Sequence, residues 1–274
     1  MTSTKRAARF TGVGLGVAAA GLTIAGVLAS VAPSATAAPQ ASQAPARVSV
    51  PAKVTAATTP AYAVPKRTLG YGMKGSDVKA LQVRLGALKY YAGSADGTFG
   101  VDTLEAVWAF QEVQGILVSG KVGLVTGKAL QNPKAYKSRY PHGGSLRVEV
   151  NLTTRVLVLY SGGKVALVSH ISSGGGYAFD CGNDGCAYAI TPTGNFRTTG
   201  YIPGWVQVPL GEMYNPVFFI GTAFAIHGEP TDGPTGDGVP VNPVSHGCVR
   251  IPMDIAAFFH TMVKTTGTPV YVYR

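Results

Sequence analysis

A change in hydrophobic period near residue 146 most constrains how this chain can fold. From Val78 to Leu88, apolar residues recur at spacings of three and four, which predicts one face of a helix with Ser76 as its cap. From Leu146 to Leu152, apolar and polar residues alternate, which is typical of a half-buried strand. The chain is therefore predicted to be multidomain, with a small all-α domain followed by a mostly β domain.

The all-α domain is predicted to span residues 67–133 and to contain three helices. A turn at residues 95–97 precedes a second helix that begins near Asp102, and a short third helix follows Val125. The segment repeats itself at an offset of 23 residues, where Gly97, Phe99, Gly100, Thr103 and Ala106 match Gly120, Val122, Gly123, Thr126 and Ala129. Two such helix-turn units are expected to stack on one core.

The β domain is predicted to span residues 145–274 and to form a sandwich. Residues 156–160 and 165–171 indicate a hairpin with its turn at 161–163, and residues 268–273 are typical of a closing strand. One helix is expected from Asp254 through Phe259.

A thiol and two imidazoles lie close together in the sequence of this β domain. His227 ends the apolar run 223–226, which predicts a buried strand, and residues 229–244 are dense in Pro and Gly and predict a loop. The loop leads to residues 245–250, Ser-His-Gly-Cys-Val-Arg, and so returns His246 and Cys248 toward His227. A cysteine beside a histidine base can attack a carbonyl, which predicts acyl transfer with Cys248 as nucleophile and His227 as base.

Two alternatives compete with this interpretation. Cys248 could be an inert packed residue, although polar His246 adjoins it. The three side chains are also types that bind zinc, but the sequence has no CxxC, no HExxH and no clear fourth ligand. We therefore predict no metal and no cofactor. For the other histidines, His142, His170 and His260, the sequence indicates no interaction partner. They are interpreted as surface residues or as core residues whose hydrogen bonds are satisfied.

His-Gly at 227–228, a sixteen-residue loop and Ser-His-Gly-Cys-Val-Arg together resemble the signature of the L,D-transpeptidases, the YkuD family. The resemblance covers about residues 145–273. It implies that Cys248 is acylated, that His227 accepts its proton, and that His246 supports the site.

The same resemblance implies roles for the neighbouring backbone and for one cation. The carbonyl of Gly228 would orient the imidazole, and the amides of Gly247 and Cys248 would help to form an oxyanion hole, with Ser245 in the same orienting set. Arg250 would hold a substrate carboxylate or fix the loop.

The resemblance also implies a substrate, the peptidoglycan stem tetrapeptide. A side-chain amine of another stem would resolve the thioester into a cross-link, whereas water would make the protein an L,D-carboxypeptidase. Acylation by carbapenem-type β-lactams is expected as well. The alternatives are a non-catalytic wall-binding protein and a secreted cysteine peptidase.

Residues 69–131 resemble the peptidoglycan-binding-like three-helix domain. The resemblance is carried by Gly75, Val78, Leu81-Gln82, Asp96-Gly97, Phe99-Gly100, Thr103, Val107, Phe110-Gln111 and Gly115. Most of these are core and turn positions, so both a wall-binding role and a spacer role stay open.

The first residues of the chain predict export. Lys5, Arg6 and Arg9 precede an apolar stretch from 13 to 31 and an Ala-x-Ala site at 35–37, so residues 1–37 are interpreted as a signal peptide, with a retained anchor as the alternative. Residues 38–66 are rich in Ala and Pro and predict a semi-extended linker. The only predicted contact with a membrane is through the signal segment before cleavage.

Charge and cysteine content are consistent with action outside the cytoplasm, in the cell wall. The formal charge of +10 falls to +7 without the signal segment, which suits an anionic polymer, and the sequence carries no nucleic-acid-binding motif.

Of the three cysteines, Cys181 and Cys186 flank turn residues and are predicted to pair in an oxidising compartment, which leaves Cys248 as the odd thiol. The alternative is that all three are reduced.

Overall fold

The computed structural model describes residues 62–180, 186–228 and 238–274, with the side chain of Cys186 excepted. The predicted signal peptide, nearly all of the predicted linker, and Cys181 with its predicted disulfide lie outside these residues. No helix within the described residues is long and apolar enough to cross a membrane.

The first part of the described chain contains three helices, as predicted: α1 (Ser76–Ala87), α2 (Val101–Gln114) and α3 (Leu124–Gln131). The prediction that Ser76 caps α1 is wrong. Gly75 holds the N-cap position with φ +148, and no side chain caps the helix. Glycine adopts this backbone conformation readily, so the helix begins one residue earlier than a serine cap would allow.

The sequence repeat corresponds to two turns with the same hydrogen bonding. The amide of Gly97 donates to Oε1 of Gln82 at 2.9 Å, and the amide of Gly120 donates to Oε1 of Gln111 at 3.0 Å. Each glutamine also donates from Nε2 to the turn that it holds, and both glutamines are buried. Gly97 and Gly120 have φ values of +82 and +68, which explains the repeated glycine.

The second part is mostly β, as predicted. In chain order it contains β1 (Arg147–Asn151), β2 (Val156–Ser161), β3 (Lys164–His170), β4 (Ala178–Asp180), β5 (Cys186–Tyr188), β6 (Gly194–Arg197), β7 (Gly200–Tyr201), β8 (Trp205–Val208), β9 (Gly211–Ile220), β10 (Phe224–Gly228), β11 (Val249–Ile251), α4 (Met253–Met262) and β12 (Pro269–Tyr273).

These strands form two five-stranded sheets and a small hairpin. The first sheet has the order β3-β2-β1-β12-β6, and β1 and β12 are parallel. The second has the order β11-β10-β9-β7, with β8 paired to β9, and β10 and β11 are parallel. Strands β4 and β5 pair separately.

The two sheets share one apolar core, as expected of a sandwich. Leu157 and Leu159 of β2 meet Phe219 of β9 and Ile226 of β10 in this core. Helix α4 adds Phe259 to the same cluster. The core fixes β10 and β11 side by side, which matters because both predicted catalytic residues lie on or next to these two strands.

The helices pack on the outer face of the first sheet. Alternate residues of β2, Val156 and Val158, belong to a core that includes Val107 and Phe110 of α2. Strand β2 is therefore buried on both faces, which accounts for its unbroken apolar sequence Val-Leu-Val-Leu-Tyr. As a result, helix α2 lies directly against the β sandwich.

Candidate active site

The pairing of β10 with β11 sets which side chains share a face. Ile226 lies opposite Val249, and both are buried in the sandwich core. His227, the next residue, lies opposite Arg250. Because side chains alternate along a strand, His227 and Arg250 point away from the core, on the side that carries Cys248 just before β11.

These side chains line a cleft of about 660 Å³. Its floor includes His227, Cys248 and Arg250, and its other walls come from the β8–β9 hairpin and the end of β4. The cleft is lined by Phe179, Asp180, Val208, Pro209, Leu210, Gly211, Glu212, Met213, Thr222, Ala223, His227, Ser245, His246, Cys248 and Arg250. The structure thus brings the predicted nucleophile and the predicted base into one cavity large enough for a peptide segment.

The imidazole of His227 is buried and has a defined orientation. The side chain is 2% exposed, and Nδ1 lies 3.1 Å from the carbonyl oxygen of Gly228. Since a carbonyl only accepts, Nδ1 carries the hydrogen and Nε2 is the nitrogen able to take a proton. The pKa of His227 is lowered to about 4, because burial and, to a smaller extent, the nearby Arg250 charge outweigh the Gly228 contact, which raises it. At neutral pH the imidazole is therefore neutral and ready to act as a base.

The thiol of Cys248 is partly accessible from the cleft. The amide of Ala225 donates to its Sγ at 3.5 Å, and Sγ lies 4.0 Å from the carbonyl oxygen of Ala223. A backbone N–H directed at sulfur favours the thiolate, which is the nucleophilic form.

Ser245 and Gly247 form a tight turn in front of the nucleophile. The hydroxyl of Ser245 donates to the carbonyl of Cys248 at 2.6 Å and accepts from the amide of Gly247 at 3.1 Å. Gly247 has φ +139, and a Cβ there would lie 2.7 Å from the Phe224 ring and 2.9 Å from the Ile190 carbonyl oxygen. Only glycine fits this position, both by conformation and by space.

This turn bears on the oxyanion role predicted for Gly247. Its amide already donates to Ser245 Oγ, so that role requires the amide to exchange the hydroxyl for a substrate oxygen. The carbonyl of Gly247 is held from the other side by Thr191, whose Oγ1 donates to it at 2.8 Å and accepts from the amide of Gly174 at 2.9 Å. Thr191 therefore joins the segment at Gly174 to the turn at Gly247.

The remaining predicted residues occupy different parts of the cleft. His246 packs edge-on against Phe179, with ring centroids 4.8 Å apart, and against Tyr177 at 5.5 Å. The backbone of Arg250 exchanges two hydrogen bonds with Ser172, at 2.8 and 3.1 Å, and its side chain lines the cleft. Gly228 abuts α4, where an added Cβ would lie 2.8 Å from the Cβ of Ala256.

The cleft also contains charged groups that sequence reasoning missed. Asp180 and Glu212 line it together with Arg250. Glu212 lies on a hairpin whose sequence has no distinguishing motif, so only the fold places it near Cys248. No group of three or more His, Cys, Asp and Glu arranged to hold a metal occurs in the ranges 62–180, 186–228 and 238–274.

Comparison with known families identifies both parts of the chain described above. The L,D-transpeptidase catalytic domain family matches residues 145–272, and the peptidoglycan binding domain family matches residues 74–130. A solved L,D-transpeptidase structure from Xylanimonas cellulosilytica is 31% identical, with a TM-score of 0.69. The match covers 76% of this chain and 98% of that one.

Two curated relatives are named as a spore cortex-lytic enzyme and as an N-acetylmuramoyl-L-alanine amidase. A spore cortex-lytic enzyme of Oceanobacillus iheyensis is 30% identical over 177 residues, which is 64% of this chain and 56% of that protein. An N-acetylmuramoyl-L-alanine amidase of Mycobacterium tuberculosis is 36% identical over 74 residues, or 26% of this chain and 18% of that protein. The chain thus spans about half the length, or less, of these relatives.

Proposed function

This chain belongs to the L,D-transpeptidase (YkuD) family, and on that premise we propose that it is a cysteine-dependent acyltransferase that cross-links peptidoglycan stem peptides. The observation that carries the proposal is a buried neutral imidazole and an accessible thiol in one cleft. His227 is oriented by the Gly228 carbonyl, and Cys248 receives an amide N–H at its sulfur.

The first half-reaction forms a thioester. His227 Nε2 takes the proton from Cys248, and the sulfur attacks the carbonyl carbon of the stem tetrapeptide's diamino acid. The bond to the terminal D-Ala nitrogen then breaks, and the imidazolium returns its proton to that leaving amine. Because burial lowers the pKa of His227, its imidazolium is a stronger acid than a free imidazolium and protonates the leaving group more readily.

The second half-reaction releases the thioester. A side-chain amine of another stem attacks the same carbon, the bond to sulfur breaks, and the amine loses a proton through His227 to the departing thiolate. The new amide is the cross-link. Arg250 would hold a substrate carboxylate, while Asp180 and Glu212 would attract the cationic form of an acceptor; all three line the cleft, which supports these roles.

The other parts of the chain fit delivery to the wall. Residues 1–37 serve as a signal peptide, and residues 38–66 as a linker. The domain at 67–133 binds peptidoglycan, and the domain at 145–274 carries the chemistry. The match of residues 74–130 to the peptidoglycan binding domain family supports the wall-binding role, and the action of the protein is then extracytoplasmic.

Hydrolysis of the same thioester is the second candidate. It is favoured by the names of the curated relatives, a cortex-lytic enzyme and an amidase, both of which imply bond cleavage. With water in place of the acceptor amine, the same residues would release a tripeptide and make the protein an L,D-carboxypeptidase.

Intact-protein mass spectrometry tests the nucleophile. Residues 38–274 would be incubated with a stem tetrapeptide, or separately with imipenem, as wild type and as Cys248→Ala. We expect a covalent mass increase on the wild type and none on the variant, with peptide mapping to Cys248. The same spectra before and after reduction would show whether Cys181 and Cys186 are bridged.

Acceptor dependence then separates the two candidates. With tetrapeptide alone and with tetrapeptide plus a second stem, products would be resolved by liquid chromatography. A dimer that forms as D-Ala is released supports transfer, whereas tripeptide in both mixtures supports hydrolysis. Absence of any adduct on folded wild-type protein would contradict both and would favour a non-catalytic wall-binding protein.

A further inference from the structure

Helix α2 places a buried carboxylate against the chain that enters the catalytic segment. Glu105 is 2% exposed, and its Oε1 accepts a hydrogen bond from the amide of Val239. A Cβ at Gly238 would lie 2.9 Å from the same Oε1 and 2.7 Å from Val101, so the backbone at 238 closely approaches the helix. Val239 lies nine residues before Cys248 in the sequence.

A second set of contacts from helix α2 runs through His170 to Pro240, the residue that follows Val239. Nδ1 of His170 lies 3.1 Å from Oε2 of Glu112, and Nε2 of His170 lies 3.1 Å from the carbonyl oxygen of Pro240. The carbonyl only accepts, so Nε2 carries a hydrogen and donates it to Pro240. Arg155 donates to Oε1 of Glu112 at 3.1 Å and fixes the carboxylate. All three of Glu112, His170 and Pro240 are thus linked in one chain of contacts.

Further contacts hold the segment between Pro240 and the nucleophile. Ser172 Oγ donates to the carbonyl of Asn242 and accepts from the amide of Val244, at 2.9 and 3.2 Å. The amide of Ser245 donates to the carbonyl of Ser173 at 3.0 Å, and the Ser245 hydroxyl donates to the carbonyl of Cys248. The segment from 238 to 248 is therefore held at its start by α2 and at its end by the sandwich.

We propose that Glu105, together with the Glu112–His170 pair, positions the catalytic segment, so that the helical domain forms part of the active-site framework as well as a wall-binding module. Glu105 acts through Val239, and His170 acts through Pro240. Neither touches the cleft, whose lining includes neither residue. Both are positioning residues for Cys248, and the proposal rests on the nucleophilic role proposed for that cysteine.

The chemistry of the contacts favours positioning over simple packing. A carboxyl group is costly to desolvate whether it is neutral or charged, and an apolar residue would fill the same space at lower cost. Glu105 instead directs an oxygen at one backbone amide, which sets both direction and distance. A shift of about 1 Å at a nucleophile can cost about 100-fold in rate, so a contact that fixes this segment has a large effect on catalysis.

Three variants in helix α2 test the proposal in residues 38–274. Glu105→Met removes the acceptor and keeps the volume, whereas Glu105→Gln keeps an oxygen for the Val239 amide. Gln111→Met is the matched control, because Gln111 is buried in the same helix and, among the described residues, its side chain bonds only to the turn and helix at 119–126. His170→Leu is a second disruptive variant, should Glu105→Met fail to fold.

Two rates would be measured on each variant after its folding is verified by a cooperative thermal transition. The first is imipenem acylation as a function of concentration, followed by intact mass. The second is alkylation of Cys248 by iodoacetamide, followed by peptide mapping, which reports on the thiol whether or not the protein is an acyltransferase.

We expect Glu105→Met and His170→Leu to lower the maximal acylation rate by at least about tenfold, with the half-saturating imipenem concentration changed by less than about twofold. The alkylation rate at Cys248 should change in the same variants. Glu105→Gln should stay within about twofold of wild type, and Gln111→Met should melt earlier without slowing acylation.

The proposal is overturned if Glu105→Met and His170→Leu, when folded, acylate and alkylate as Gln111→Met does. It is also overturned if Glu105→Gln is as slow as Glu105→Met, since the hydrogen-bond acceptor would then be irrelevant. If wild type gives no imipenem adduct, the proposed function fails. An altered alkylation rate at Cys248 in Glu105→Met would still support positioning in that case.

Discussion

The buried carboxylate of Glu105 makes folding stability depend on pH in a direction that can be measured. The pKa of Glu105 is raised to about 8, mainly by burial and to a smaller extent by the negative charges of Asp102 and Asp254, against the hydrogen bond from Val239, which lowers it. In the unfolded chain the same group titrates near 4.5. Between pH 4.5 and about pH 8, Glu105 is protonated in the folded protein and deprotonated in the unfolded chain.

The contribution of Glu105 to the free energy of unfolding is therefore fully present below about pH 4.5 and is lost as pH rises through 8. At about 1.4 kcal/mol per pH unit, the interval corresponds to about 5 kcal/mol, a large part of a typical domain's stability. Glu105→Gln copies the neutral carboxyl group at every pH and keeps the acceptor for Val239. The variant should thus become increasingly more stable than wild type as pH rises.

Urea denaturation of both proteins from pH 4 to pH 9 would measure this difference. The gap in free energy of unfolding should be constant at the acid end, widen from about pH 4.5 and level off above about pH 8. Gln111→Leu, a non-ionising change in the same helix, should show a gap that does not vary with pH. A constant gap between Glu105→Gln and wild type would refute the reasoning, because Glu105 would then titrate alike in both states.

Three further predictions concern the cleft. His227 has a folded pKa of about 4 against 6.5 unfolded, so the free energy of unfolding of wild type minus that of His227→Gln should fall by about 3 kcal/mol as pH falls from 6.5 to 4 in the same denaturation series. Because that imidazole is too weak a base to hold a resting imidazolium–thiolate pair, alkylation of Cys248 should show no reactivity plateau at pH 5–7, and such a plateau would disprove this. Gly247→Ala introduces a Cβ into a strained φ beside the Phe224 ring, so it should cost about 1–3 kcal/mol of stability and slow imipenem acylation at least about tenfold, whereas an unchanged melting temperature and rate would contradict the geometry.

Much of the fold could be predicted from the sequence because its elements follow local patterns. The spacing from Val78 to Leu88 gave α1, and the alternation after Leu146 gave β1. The breakers at 161–163 placed the β2–β3 turn correctly. The cap of α1 was wrong because a positive-φ glycine ended the preceding loop one residue earlier than Ser76 indicated.

The candidate site was predictable to the extent that its chemistry is compact in sequence. His227 and residues 245–250 lie within 24 residues, and the structure places them in one cleft. Glu212 was missed because the β8–β9 hairpin reaches the cleft only through sheet pairing. His170 was interpreted as a residue without a nameable partner, since Glu112 and Pro240 are 58 and 70 residues away.

The sequence by itself determined the order of helices and strands and which residue types could perform acyl transfer. Those features depend on side-chain period, turn residues and intrinsic reactivity, all of which are local. Only the tertiary structure decided that α2 covers the outer face of β2 and that Glu105 meets Val239. It also decided that burial lowers the pKa of His227, because solvent exclusion and distant contacts arise only when separate segments pack together.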